Sequence, residues 1–115
     1  EYAIATAEAC HARGLKTIAV TAGSICPEPR RDLFAHIDAA NVDLKAFSED
    51  FYHRVCGASL AATLDTLRYL KRETAVWLEG TTLLIPGAND SDAEIDAAAR
   101  WFADLGRSLR RTHLS

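Results

Sequence analysis

The chain is expected to form an α/β fold of three parallel strands with flanking helices, and three observations carry that expectation. Helix-period and strand-period segments alternate along the 115 residues, an order that favours right-handed parallel crossovers. Glycine, proline and capping residues fall at the joints between them. All three strand-like segments also put apolar side chains on one parity and polar or ionisable ones on the other, because side chains alternate faces along an extended chain.

Residues 1–13 place Ala3, Ile4, Ala7, Cys10 and His11 at helical spacing, with Gly14 where a left-handed terminator is wanted. Residues 16–21 (KTIAVT) read as a strand with Ile18 and Val20 on one side and Thr17, Ala19 and Thr21 on the other, and Gly23 lies just past its end. Pro27 and Pro29 suit the first turn of a helix, continued by Leu33, Phe34 and Ile37 as its buried set. Residues 39–45 (AANVDLK) form the organising strand: Val42 and Leu44 share one face, and Asn41, Asp43 and Lys45 share the other.

Ser48 followed by Glu49 and Asp50 resembles an N-cap with an acidic first turn, so residues 49–55 are expected to be a short helix that Gly57 ends. Ser59 caps a longer helix over 60–73, whose Leu60, Leu64, Leu67 and Leu70 recur every three or four residues as core. In residues 75–85 (AVWLEGTTLLI) Val76 and Leu78 oppose Trp77, Glu79 and Thr81, and Gly80 marks a bulge or a close backbone approach. After the Pro86-Gly87 turn, Ser91 and Glu94 fit a capping box for a helix over 92–105, with Ile95, Ala98, Ala99 and Phe102 buried and Gly106 as its end. The domain is therefore read as residues 1–106. Residues 107–115 (RSLRRTHLS) have three arginines and no period, and are expected to be an aberrant or disordered tail.

Two architectures satisfy this order, an open doubly wound sheet and a piece of an α/β barrel. Under helices on both faces, the charged strand faces would be buried without partners, at high cost. In a barrel they point inward, which predicts an inward set of Thr17, Thr21, Asn41, Asp43, Lys45, Trp77, Glu79 and Thr81. Functional groups gather at strand C-terminal ends in such folds, which favours Thr21, Asp43, Lys45, Glu79 and Thr81. A structural ion pair or an exposed sheet edge would equally explain Asp43 and Lys45.

A net charge of −3 without a clustered basic excess argues against nucleic-acid binding. Cys10, Cys26 and Cys56 are odd in number and too widely spaced to read as a disulfide framework or a metal site. Cys10 and Cys26 are best read as small apolar residues, and His11, His36 and His53 as partly exposed helix residues. No signal peptide or membrane-length apolar run is visible, so a cytoplasmic protein without membrane partners is expected. The absence of methionine and the start at Glu1, inside a helix, suggest an internal fragment.

The ordered series VTAGSICPEP, AANVDLKAF, EDFYHRVCG and VWLEGTTLLIPGANDSDAEI resembles radical S-adenosylmethionine enzymes related to the pyruvate formate-lyase activating enzyme, most nearly the radical enzyme of the AmmeMemoRadiSam system. The resemblance covers roughly residues 1–105 and implies a fragment of a partial (β/α)6 radical SAM barrel. It also implies a [4Fe-4S] cluster that reduces S-adenosylmethionine, releasing a 5′-deoxyadenosyl radical for hydrogen abstraction from a substrate, which in the activating enzymes is a glycine of a partner protein. A protein substrate or companion proteins of the same system are the implied partners. By the same resemblance Asp43 and Lys45 match a segment that contacts the cosubstrate, Thr21 approaches its ribose and methionine moieties, and Glu79 and Thr81 line the same cavity. The family's CxxxCxxC loop and its Gly-Gly-Glu-like segment are missing, so the cluster ligands are expected outside this chain, which alone would be inactive. Gly80 stands where close relatives carry an apolar β-branched residue. A non-catalytic α/β module binding a small anion or nucleotide, at a turn such as residues 23–29, is the alternative from another class.

Overall fold

A computed structural model describes the backbone of residues 1–113 and the side chains of residues 1–107. The elements follow in the order α1 (Tyr2–Ala12), β1 (Ile18–Thr21), α2 (Pro27–Phe34), β2 (Ala39–Asp43), α3 (Glu49–Phe51), a π-helical turn (Tyr52–Cys56), α4 (Leu60–Glu73), β3 (Trp77–Thr81) and α5 (Asp92–His113). The strands form one parallel sheet in the order β1-β2-β3. Among the described residues, no helix is long and apolar enough to cross a membrane.

The core lies on one side of this sheet. Val42 is fully buried, and with Ala40 it packs against Phe34 of α2, Leu67 and Leu70 of α4 and Leu105 of α5. Each large aliphatic side chain buried in this way stabilises by about 1.5–3 kcal/mol. A second cluster, Leu44, Ala46, Phe51 and Tyr52, continues the core past the end of β2, and Phe102 packs against both. Among the described residues the opposite face carries no such layer: Ile18, Val20 and Trp77 are 70%, 76% and 72% exposed. A one-sided sheet is what part of a barrel looks like.

Several local expectations are realised by the interactions that suggested them. Ser48 and Ser59 cap their helices by accepting from Phe51 N–H and Ala62 N–H at 3.2 Å each. Gly14 and Gly57 take positive φ at the ends of α1 and the π-helical turn. Gly80 is a close approach, since a Cβ there would stand 2.5 Å from Phe102 Cζ.

Others are corrected. The polar face predicted for β1 is inverted, because the register pairs Thr21 with Val42 and Val20 with Asn41. Thr21 thus shares the helix-covered face, while Ile18 and Val20 share the face of Asn41. Thr17 precedes β1 and points its hydroxyl into the base of the sheet, donating to His36 O at 2.8 Å. On α4 the buried polar residues Thr63 and Thr66 join Leu67 and Leu70, because their hydroxyls reach carbonyls of the loop after β1; Thr66 Oγ1 donates to Gly23 O at 2.7 Å. Of the stripe expected on α1 only Ala7 is buried; Ile4 and Cys10 are half-buried, and Ala3 and His11 are exposed. Cys26 is exposed and Cys10 only partly buried.

Helix α5 does not stop at Gly106 but continues to His113. A helical glycine costs only about 1 kcal/mol relative to alanine, and Gly106 has no positive φ. Asp104 and Arg107 pair across it. Of the tail expected over 107–115, residues 114–115 and the side chains beyond Arg107 lie outside the described part.

Candidate functional site

The candidate site is the uncovered face at the C-terminal ends of β2 and β3. Parallel pairing brings Asn41 beside Glu79 and Asp43 beside Thr81. The Asn41 amide donates to Thr81 Oγ1 at 2.9 Å, and the Thr81 hydroxyl returns a bond to Asn41 Oδ1 at 3.1 Å. Lys45 Nζ lies 2.6 Å from Asp43 Oδ2, with the two side chains 43% and 35% exposed. The bond to Asp43 raises the Lys45 pKa above its ordinary value, against the opposing effect of burial, so Lys45 is held as an ammonium at neutral pH. Four of the five residues singled out in the sequence, Asp43, Lys45, Glu79 and Thr81, therefore share one face. Thr21 does not; its Oγ1 accepts from Gly23 N–H at 3.1 Å, a local turn contact on the helix side.

Three residues that shape this site escaped sequence reasoning. Tyr52 and Asn89 are buried and bond the backbone of Lys45, although they read from the sequence as a helix residue and a turn residue. Glu94 was assigned to a capping box. Ser91 does accept from Glu94 N–H at 3.2 Å, but the Glu94 carboxylate accepts instead from Phe47 N–H at 2.8 Å. On the helix side, beneath α5, a cavity of about 230 Å³ opens between Leu44, Phe47, Leu84, Ile95 and Ala98.

The donor set of the open face suits a zwitterionic ligand: a carboxylate pair, Asp43 and Glu79, complements an ammonium, a sulfonium or ribose hydroxyls, and Lys45 complements a carboxylate. S-adenosylmethionine presents all of these groups. An iron-sulfur cluster does not fit the chain's own residues. Among the described residues no group of three metal-ligating side chains converges, and the three free cysteines sit on α1, before α2 and in the π-helical turn.

Comparison with known proteins gives three findings. The chain is 34% identical over 91 residues to an uncharacterized protein of Methanocaldococcus jannaschii, in an alignment covering 79% of this chain and 26% of that protein. The chain thus spans about a quarter of the length of the curated relative it matches. Its fold superposes on a domain of a pyruvate-formate lyase-activating enzyme from Bacteroides vulgatus with a TM-score of 0.73 and 18% identity, covering 85% of this chain and 60% of that one. It also superposes on TYW1, solved with a lysine-pyruvate adduct bound, with a TM-score of 0.58 and 26% identity, covering 76% of this chain and 29% of that one. No family model matches. Both structural neighbours are radical S-adenosylmethionine enzymes, so fold and likeness together support a relation of this three-stranded parallel segment to radical SAM enzymes.

Proposed function

We propose that this chain is part of a radical SAM enzyme, of the kind found in the AmmeMemoRadiSam system, and that its open face receives S-adenosylmethionine. The observation that carries the proposal is the convergence of Asp43, Lys45, Glu79 and Thr81 on one uncovered face at the strand C-terminal ends. Lys45 would hold the cosubstrate carboxylate, and Asp43 and Glu79 its cationic or hydroxyl groups. Thr81, fixed by Asn41, sets the rim between them. Bound S-adenosylmethionine, with a [4Fe-4S] cluster held outside this chain, would supply hydrogen abstraction from a substrate, glycyl-radical-activating chemistry being one instance. The roles of this chain's residues are to bind and orient. Thr21 is left out of the contact set because it faces the helix layer. The anion-binding alternative is not favoured: α2 opens with prolines at 27 and 29, which lack N–H groups, and no side chain caps it.

Titration of S-adenosylmethionine into the full-length protein tests this. Asp43→Ala is expected to weaken binding about tenfold, the scale of a lost charge-assisted hydrogen bond, with iron content unchanged. Equal affinity in variant and parent would remove Asp43 from the site.

A further inference from the structure

Beyond Asp43 the strand ladder ends, yet the chain keeps its course because later elements take over its backbone groups. Leu44 N–H still donates to Thr81 O at 2.8 Å. Lys45 N–H donates to the Tyr52 hydroxyl at 2.8 Å, and Lys45 O accepts from Asn89 Nδ2 at 2.8 Å. Asn89, 3% exposed, spends its whole side chain in this way: Nδ2 also donates to Leu83 O at 2.9 Å, and Oδ1 accepts from Ile85 N–H at 2.6 Å. Tyr52 is 2% exposed and sits in the second core cluster. Buried polar groups destabilise a fold unless they are bonded. Here both residues direct bonds to the two sides of one residue's backbone.

We infer that Asn89 and Tyr52 are positioning residues, which grip Lys45 at its carbonyl and its N–H and so hold its ammonium against Asp43 over the open face. Neither is a ligand contact. Tyr52 belongs to the core, and Asn89 borders the cavity beneath α5, on the opposite side of the sheet from the Asp43–Lys45 pair. With the grip released, the long Lys45 side chain starts from a mobile peptide and must lose more conformational freedom to reach Asp43. The grip ties the end of β2 to the chain leaving β3, through Leu83 and Ile85, so the two strand ends that carry the site move together. The consequence for ligand affinity rests on the function proposed above, whereas the grip itself does not.

The test uses the full-length protein with Tyr52→Phe and Asn89→Leu. The pH profile of acetylation at Lys45 is read by peptide mass spectrometry against Lys16 and Lys71, in parallel with S-adenosylmethionine affinity and thermal unfolding. In the parent, Lys45 should acetylate at higher pH than Lys71, because Asp43 first, and then Tyr52 and Cys56, favour the charged ammonium. In Tyr52→Phe its profile is expected to move down toward that of Lys71, with reactivity at a fixed alkaline pH rising about three- to tenfold and affinity falling by a similar factor. Asn89→Leu should act in the same direction and more strongly. Should the leucine variant fail to fold, Asn89→Ser, which is too short to bond Lys45 O but removes no titratable group, decides, because Tyr52 also favours the Lys45 ammonium directly and a shift in Tyr52→Phe alone would overturn the grip. An unchanged Lys45 profile in Tyr52→Phe overturns the inference whatever the affinity does. A profile shifted by substitution at both Tyr52 and Asn89, with unaltered affinity, upholds the grip and overturns the cosubstrate reading.

Discussion

Asp38 shows how much one side chain can organise at the opposite end of the sheet. Its Oδ2 accepts from Thr17 N–H at 2.7 Å and meets His11 Nε2 at 2.8 Å, which joins α1 to the starts of β1 and β2. The Thr17 backbone bond, followed by the His11 bond, pulls its pKa down to about 2. Because the folded-state value lies below the ordinary 3.8 of an aspartate, the ionised form makes these bonds, and their stabilisation is complete at higher pH and lost as pH falls through about 2. Asp38→Ala should therefore melt below the parent at pH 7, with the gap closing as the pH is taken toward 2; a gap unchanged at pH 2 would remove the ionised carboxylate as its source. From the sequence, Asp43, Lys45, Glu79 and Thr81 were legible because charge on one strand face needs an explanation. Asn89 and Tyr52 were not, since their role lies in contacts 44 and 7 residues away in the chain, to which no local pattern points.

At the scale of elements, periodicity located every helix and strand, but it failed on which face of β1 is covered. The alternation in KTIAVT predicts the apolar parity as the buried one. Register with β2 decides otherwise: Ala19 and Thr21 face the helices, and Ile18 and Val20 face outward. On the same face Gly23, at φ 75, lies close over Val42, where an added Cβ would come within 2.9 Å of Val42 Cγ1. The π-helical turn after α3 was not foreseeable either, and it is what carries Tyr52. Between β3 and α5 the fit is set by Gly80, which leaves room for the Phe102 ring, itself packed edge-on to Trp101 at 5.4 Å. Gly80→Ala should cost about 1–3 kcal/mol in chemical denaturation, the usual penalty of overpacking. Phe102→Leu in the same chain should recover part of it, whereas additive losses would show that the ring is not what the new methyl meets.

For the molecule as a whole, the one-sided sheet is the dominant fact. Both β1 and β3 are edge strands, and the uncovered face presents Ile18, Val20 and Trp77 beside the charged site. Open edges and exposed apolar surface favour association. The 115-residue chain expressed alone is therefore expected to self-associate, and Val20→Lys with Trp77→Lys to reduce this in light scattering; a monomeric parent at high concentration would contradict it. That one face of β2 and β3 is special was legible from their charged residues, but the matched relative is nearly four times as long as the aligned region, and what lies against this face was not. The same asymmetry separates what the chain needs to fold from what it needs to act. A saturation scan scored by a folding reporter should alternate in tolerance with a period of two, sparing odd positions in β2 and β3 and, with inverted phase, even ones in β1. Selection for activity would penalise the spared positions as well, so that the difference between two screens on one library would trace the open face along the three strands.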